Sequence, residues 1–270
     1  MFCKKIFNIT VLLILFSCTH VKDASWQKVS RDFKNRGFAQ KTYYQKDFNI
    51  FTLEKISDAA KPLRIYIEGD GFAYVNKFRP SIDPTPRSTF LLDLIAQDHS
   101  ANIVYIARPC QYVDSAICEE KYWTQERFSD IAIQAISSVV DRYQNYEIEL
   151  LGYSGGAMIA LHLKQKNIKN IRTIAGNLDL EEFVKIHNIS PLQTPKIDYE
   201  RLSKIPQIHF IGSRDAIIPI QIFSAYHKKL PSKNCVKIKV TPNATHGENW
   251  QQMWNYNLQI AKLAYAAGFD

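Results

Sequence analysis

The chain has 270 residues, 46% hydrophobic and 12% aromatic, which is enough apolar side chain for one large core and excludes a disordered or fibrous protein. Its formal charge of +8 becomes +6 without Lys4 and Lys5, and the basic residues are scattered, the longest runs being pairs such as Lys228-Lys229. No nucleic-acid motif accompanies them, so a solvated basic surface is expected and a nucleic-acid partner is not.

Residues 1–17 carry Lys4 and Lys5 and then an apolar run, residues 6–16, too short to span a bilayer comfortably as a permanent helix. That order is the order of a secretion signal. It ends at Leu15-Phe16-Ser17-Cys18, which resembles the lipobox of bacterial lipoproteins. The resemblance implies that residues 1–17 are a signal peptide, that Cys18 is acylated as the new N-terminus, and that the protein is anchored to a membrane of the bacterial envelope, facing the periplasm or exterior. Acyl chains contribute about 0.8 kcal/mol per buried CH₂ to such anchoring. An ordinary cleaved signal with a coincident cysteine is the alternative. Residues 18–36 are polar and mixed in charge, with few large apolar residues such as Trp26, and are expected to be a tether to a single domain, residues 37–270.

Residues 38–44 and 48–53 alternate partially around Gln45-Lys46-Asp47, the pattern of an opening hairpin. Residues 63–67 form a stronger strand that runs into Glu68-Gly69-Asp70-Gly71-Phe72. After an irregular, proline-bearing stretch at 72–86, a helix is predicted over 88–97 and a buried strand over 102–106. Arg108-Pro109-Cys110-Gln111-Tyr112 follows, with Cys118 shortly after. An exported protein meets an oxidising compartment, so Cys110 and Cys118 are candidates for a loop-closing disulfide, with Cys235 left unpaired and reduced core thiols as the alternative. The cysteines and histidines do not fall at a metal-binding spacing, and no metal site or organic cofactor is predicted.

A long amphipathic helix is predicted over 126–142, leading to a branched apolar run at 147–151 that reads as a buried parallel strand. The run ends at Gly152-Tyr153-Ser154-Gly155-Gly156 and reverses into an apolar helix. This is Gly-x-Ser-x-Gly in strand-turn-helix context, a nucleophile elbow that pushes the Ser154 hydroxyl out above the sheet. The amide of Gly155, at the helix N-terminus, can stabilise a developing oxyanion. Short strands at 171–174, 208–211 and 236–240 follow, with 177–206 between the first two as a partial cap and a terminal helix at 250–266. The alternation implies a mostly parallel α/β sheet with helices on both faces and sites at the strands' carboxyl ends. Gly71, Ser154, Asp215 and His246 all fall at such ends.

A serine needs a base, and an imidazole steadied by a carboxylate serves near neutral pH. The chain order Ser154, Asp215, His246, carried by Gly-Tyr-Ser-Gly-Gly, Gly-Ser-Arg-Asp-Ala-Ile-Ile-Pro and Thr-His-Gly, resembles the α/β-hydrolases. With the Glu-Gly-Asp-Gly loop and Arg-Pro-Cys-Gln-Tyr, it is similar to an exported or lipid-anchored bacterial branch. The resemblance implies an eight-stranded core sheet, hydrolysis of carboxylic esters or related acyl bonds, and a second oxyanion donor from the amide of Asp70 or Gly71, Glu68 standing where a histidine is usual. Asp179 competes with Asp215, and His187 and His209 with His246; a helix N-cap is the structural role open to Asp179. Phe72, Tyr112, Tyr122, Trp123 and Tyr153 are either pocket lining or core. The competing function is a non-catalytic lipoprotein that keeps the hydrolase scaffold as a binding or assembly module.

Overall fold

A computed structural model describes residues 24–250 and residue 254. The signal segment, Cys18, and the expected terminal helix apart from Trp250 and Trp254 lie outside the described residues.

In chain order the elements are α1 (Ala24–Asn35), β1 (Ala39–Tyr43), β2 (Ile50–Ile56), β3 (Leu63–Ile67), a small hairpin of β4 (Tyr74–Asn76) and β5 (Arg79–Pro80), α2 (Phe90–Ile95), β6 (Asn102–Ile106) and α3 (Asp130–Val140). Then come β7 (Ile148–Tyr153), α4 (Gly155–His162), β8 (Ile168–Ile174), α5 (Leu180–His187), α6 (Tyr199–Leu202), β9 (Gln207–Gly212), α7 (Ile220–Lys229) and β10 (Val236–Thr241). Eight strands form one sheet in the order β1-β2-β6-β3-β7-β8-β9-β10. The β1–β2 and β2–β6 pairs are antiparallel and the others parallel.

The parallel strands read as apolar runs because both faces are covered: every residue of β3 and β6 is buried. Successive side chains enter different cores, Ile65 and Val104 one cluster, Tyr66 and Tyr105 the other. Helix α4 is buried along its whole length against β7, β3 and β8. Its approach to β3 requires Gly156, since a methyl group there would overlap the carbonyl oxygens of Ile67 and Glu68.

Three stretches differ from expectation. The segment read as a polar tether is helical from Ala24 to Asn35, because Trp26, Val29 and Phe33 recur at helical spacing, and its end is fastened. Phe33 is buried with its ring centroid 4.9 Å from that of Phe38, and Arg36 donates to the Ala96 carbonyl at 2.9 Å. The helix expected from residue 126 begins only at Asp130, because Ser129 before it is extended, and the preceding turn holds Arg127 in an ion pair with Asp70. The stretch expected to be irregular at 72–86 contains the β4–β5 hairpin.

Candidate active site

Ser154 joins β7 to α4 with φ 49° and ψ −119°, a strained backbone for a residue bearing a Cβ. Local hydrogen bonds hold it there: its amide donates to Ile174 O at 3.0 Å, and its carbonyl accepts from Ala157 at 3.1 Å and Asn177 at 2.9 Å. His246, in the loop after β10, places Nε2 3.0 Å from Ser154 Oγ and Nδ1 3.0 Å from Asp215 Oδ2. An ionised carboxylate only accepts, so Nδ1 carries the proton and the lone pair of Nε2 faces the serine hydroxyl. The other carboxylate oxygen of Asp215 accepts from the amides of Ile217 at 2.9 Å and Ile218 at 2.8 Å. The acid is therefore fixed before it meets the imidazole. The histidine loop is tied down by Trp250 Nε1 donating to Thr245 O at 2.8 Å and Tyr153 Oη donating to His246 O at 3.3 Å.

The rivals have other partners. Asp179 N-caps α5, accepting from the Glu182 amide at 3.0 Å, and pairs with Lys229 at 2.7 Å. His209 is fully buried in β9 between Thr173 and Gln207, and burial pushes its pKa down to about 3, so it stays neutral in the core. His187 lies 2.7 Å from Ile217 O, in the cavity wall.

The loop leaving β3 brings Asp70 and Gly71 to the serine. Gly71 has φ 65°, and a methyl group there would overlap the Pro84 carbonyl, so only glycine fits the turn. The amides of Asp70, Gly71 and Gly155 donate to no described residue, and Asp70 and Gly71 border the cavity that holds Ser154. Glu68 is wholly buried, accepting from the Gly69 amide at 2.8 Å and from Tyr105 Oη at 2.9 Å. Burial outweighs these bonds and the nearby Arg108, pushing its pKa up to about 7.

Arg108, Arg127 and Gln111 hold this loop, a role that the sequence did not assign to them. Arg108 Nη1 lies 3.2 Å from Asp70 Oδ1 and Arg127 Nε 2.8 Å from Asp70 Oδ2. Gln111 donates to Gly69 O at 3.1 Å and accepts from the Arg108 amide at 3.0 Å. Cys110 and Cys118 are joined by a disulfide that closes this turn, and Cys235 is free. The available signal was position: Arg108 to Tyr112 follow β6 directly, at the edge where such sheets assemble sites.

Ser154 and His246 open onto a cavity of about 1020 Å³ whose walls include Phe72, Phe90, Leu91, Phe183, Leu192 and Ile218. Phe183 and Leu192 come from the 177–206 segment, which thus forms one wall. Of the five aromatic residues weighed as lining, Phe72 and Tyr153 do line it. Tyr112 packs on Phe51, Tyr122 on Phe48, and Trp123 is buried with Nε1 donating to Ser81 O at 3.1 Å.

No protein-family model and no curated protein matches the sequence. Solved structures do. A proline iminopeptidase from Mycobacterium smegmatis superimposes with a TM-score of 0.58 at 10% identity, over 84% of this chain and 98% of that one. An esterase from Pyrococcus furiosus gives 0.55 at 12% identity, over 87% and 93%. An alpha-beta serine hydrolase homologue from Coxiella burnetii gives 0.54 at 14% identity, over 83% and 94%. The chain therefore has the α/β-hydrolase fold. That scaffold carries an esterase in one neighbour and an iminopeptidase in another, so the site must decide the chemistry.

Proposed function

We propose that the protein is a serine hydrolase of carboxylic esters acting through an acyl-enzyme. The observation that carries this is the pair of 3.0 Å contacts linking Ser154, His246 and Asp215 above the strained elbow. Ser154 Oγ attacks the carbonyl carbon while Nε2 of His246 takes its proton; Asp215 orients the ring and stabilises the imidazolium. The carbonyl electron pair moves to oxygen, where the amides of Gly155 and of Asp70 or Gly71 receive it. Collapse expels the alcohol, protonated by His246, and a water repeats the sequence to release the acid. The large apolar-walled cavity suits an acyl chain. The segment from Lys4 to Cys18 supports an envelope lipoprotein, and Cys18→Ser moving the protein from the membrane to the soluble fraction is the corresponding test.

The catalytic test is turnover of 4-nitrophenyl butyrate. An initial burst equal to enzyme concentration, absent in Ser154→Ala, is expected. Turnover that Ser154→Ala leaves intact would refute Ser154 as the nucleophile, and none in the wild type would favour the binding-module alternative.

A further inference from the structure

A carboxylate beside an oxyanion hole opposes acyl transfer, because the intermediate places a second negative charge next to it. The structure has this arrangement. Asp70 Oδ1 lies so close to Gly155 that a methyl group on that glycine would overlap it, and Gly155 supplies one of the donors proposed above.

Two guanidinium groups answer that charge. Arg108 meets Oδ1 at 3.2 Å and Arg127 meets Oδ2 at 2.8 Å, with their side chains only 5% and 7% exposed. Neither is a loose surface partner. Arg108 Nη2 donates to the Arg127 carbonyl, Arg127 Nη1 donates to Thr124 O at 2.8 Å, and both guanidinium carbons sit near the Phe128 ring, at 5.1 and 5.2 Å from its centroid. Two positive charges on the Asp70 carboxylate leave a net positive charge while the neighbouring Glu68, raised to about 7 by burial, is protonated, and both Asp70 and Arg127 border the cavity that holds Ser154. Such a charge, held in low dielectric and fixed before reaction, costs no reorganisation when the oxyanion forms.

We propose that Arg108 and Arg127 are positioning residues that convert Asp70 from an obstacle into the centre of a net-positive cluster stabilising the oxyanion. This rests on the serine-hydrolase reading. They act through Asp70 and touch no reacting atom. As the bond from Ser154 Oγ to the carbonyl carbon forms and the π pair moves to oxygen, the cluster opposes the new charge and no proton or electron passes through it.

The test is a double-mutant cycle in the full chain with 4-nitrophenyl butyrate. Arg127→Met, which leaves the Asp70 carboxylate with one counter-charge, is expected to lower kcat by about 10- to 100-fold with KM changed less than about threefold. Adding Asp70→Asn to that variant removes the exposed negative charge and is expected to restore about tenfold of kcat. Arg127→Lys, which keeps the charge and loses the fork, should stay within about fivefold of wild type. A double variant no faster than Arg127→Met, a loss confined to KM, or a lysine variant as slow as the methionine one would overturn the proposal. If Arg127→Met does not fold, the lysine variant and the double variant, whose cluster regains the single net positive charge on Arg108, still decide it: both slower than wild type by more than about 100-fold would overturn it. A wild type without turnover sensitive to Ser154→Ala overturns the hydrolase reading and this role with it, an outcome distinct from an active enzyme that shows no rescue.

Discussion

Two clusters of buried charge lie toward opposite ends of the central strands, and they are built on different plans. Toward the amino ends, Arg64 of β3 pairs with Asp98 at 2.7 Å and with its cross-strand partner Glu149 of β7 at 2.7 Å, while Arg172 of β8 reaches Glu149 at 3.3 Å. Among the residues named the charges balance, and Arg64, Asp98 and Arg172 are buried while Glu149 is partly so. Burial pushes Asp98 upward, but Arg64 together with the hydrogen bonds from Tyr66 and Ser100 holds the carboxyl below its ordinary range; Arg172 and Arg64 do the same for Glu149. At the carboxyl ends, two arginines share Asp70 beside Ser154 and the cluster opens onto the cavity. A cluster whose named charges balance, with no member bordering the cavity, bears on folding. An open cluster with charge in excess can act on whatever enters.

The two ends should therefore fail differently. The largest effect belongs to Ser154→Ala, expected to cut kcat on the order of 10⁶-fold with little change in melting temperature, checked by ester turnover and calorimetry. Asp215→Ala should cost about 10⁴-fold, while Asp179→Ala should cost about 1–2 kcal/mol of stability through the lost N-cap and keep most activity per folded molecule. A reversal of that pair would move the acid to β8.

At the other end, Glu149→Gln strips Arg64 and Arg172 of a buried partner and is expected to destabilise by about 3–5 kcal/mol in chemical denaturation, with kcat per folded molecule unchanged. Loss of kcat without loss of stability would erase the distinction between the ends.

Stability against pH should show the same contrast. Asp98 and Glu149 have lowered pKa values, so their contribution is present above the unfolded carboxylate value of about 4 and is lost as pH falls through the folded values. Glu68 has a raised pKa of about 7, so its contribution is present below about 4 and is lost as pH rises through 7. That loss is on the order of 3 kcal/mol. Glu68→Gln should flatten the decline between pH 5 and 8, read from denaturation midpoints across that window; a slope unchanged in the variant would assign it to another group.

The sequence carried the fold wherever chemistry is local. Branched apolar runs such as 63–67 and 102–106 coincide with β3 and β6 because burial on both faces demands continuous apolar residues. Gly152 to Gly156 spelled the elbow because close helix-strand approach admits only glycine. Charge partnerships were not legible. Arg127 lies 57 positions from Asp70 in the chain, so nothing local signals their pairing. The polar tether hid a helix for the opposite reason: a narrow apolar stripe in a charged segment is easily read as composition alone.

The most direct measurement is labelling of the full chain with a fluorophosphonate, followed by peptide mapping of wild type and His246→Ala. Label on Ser154 alone, lost in the histidine variant, is the result expected of an activated nucleophile. An unlabelled Ser154 across about pH 6 to 9, where a neutral imidazole should serve as base, would contradict it and leave the hydrolase fold with a binding role.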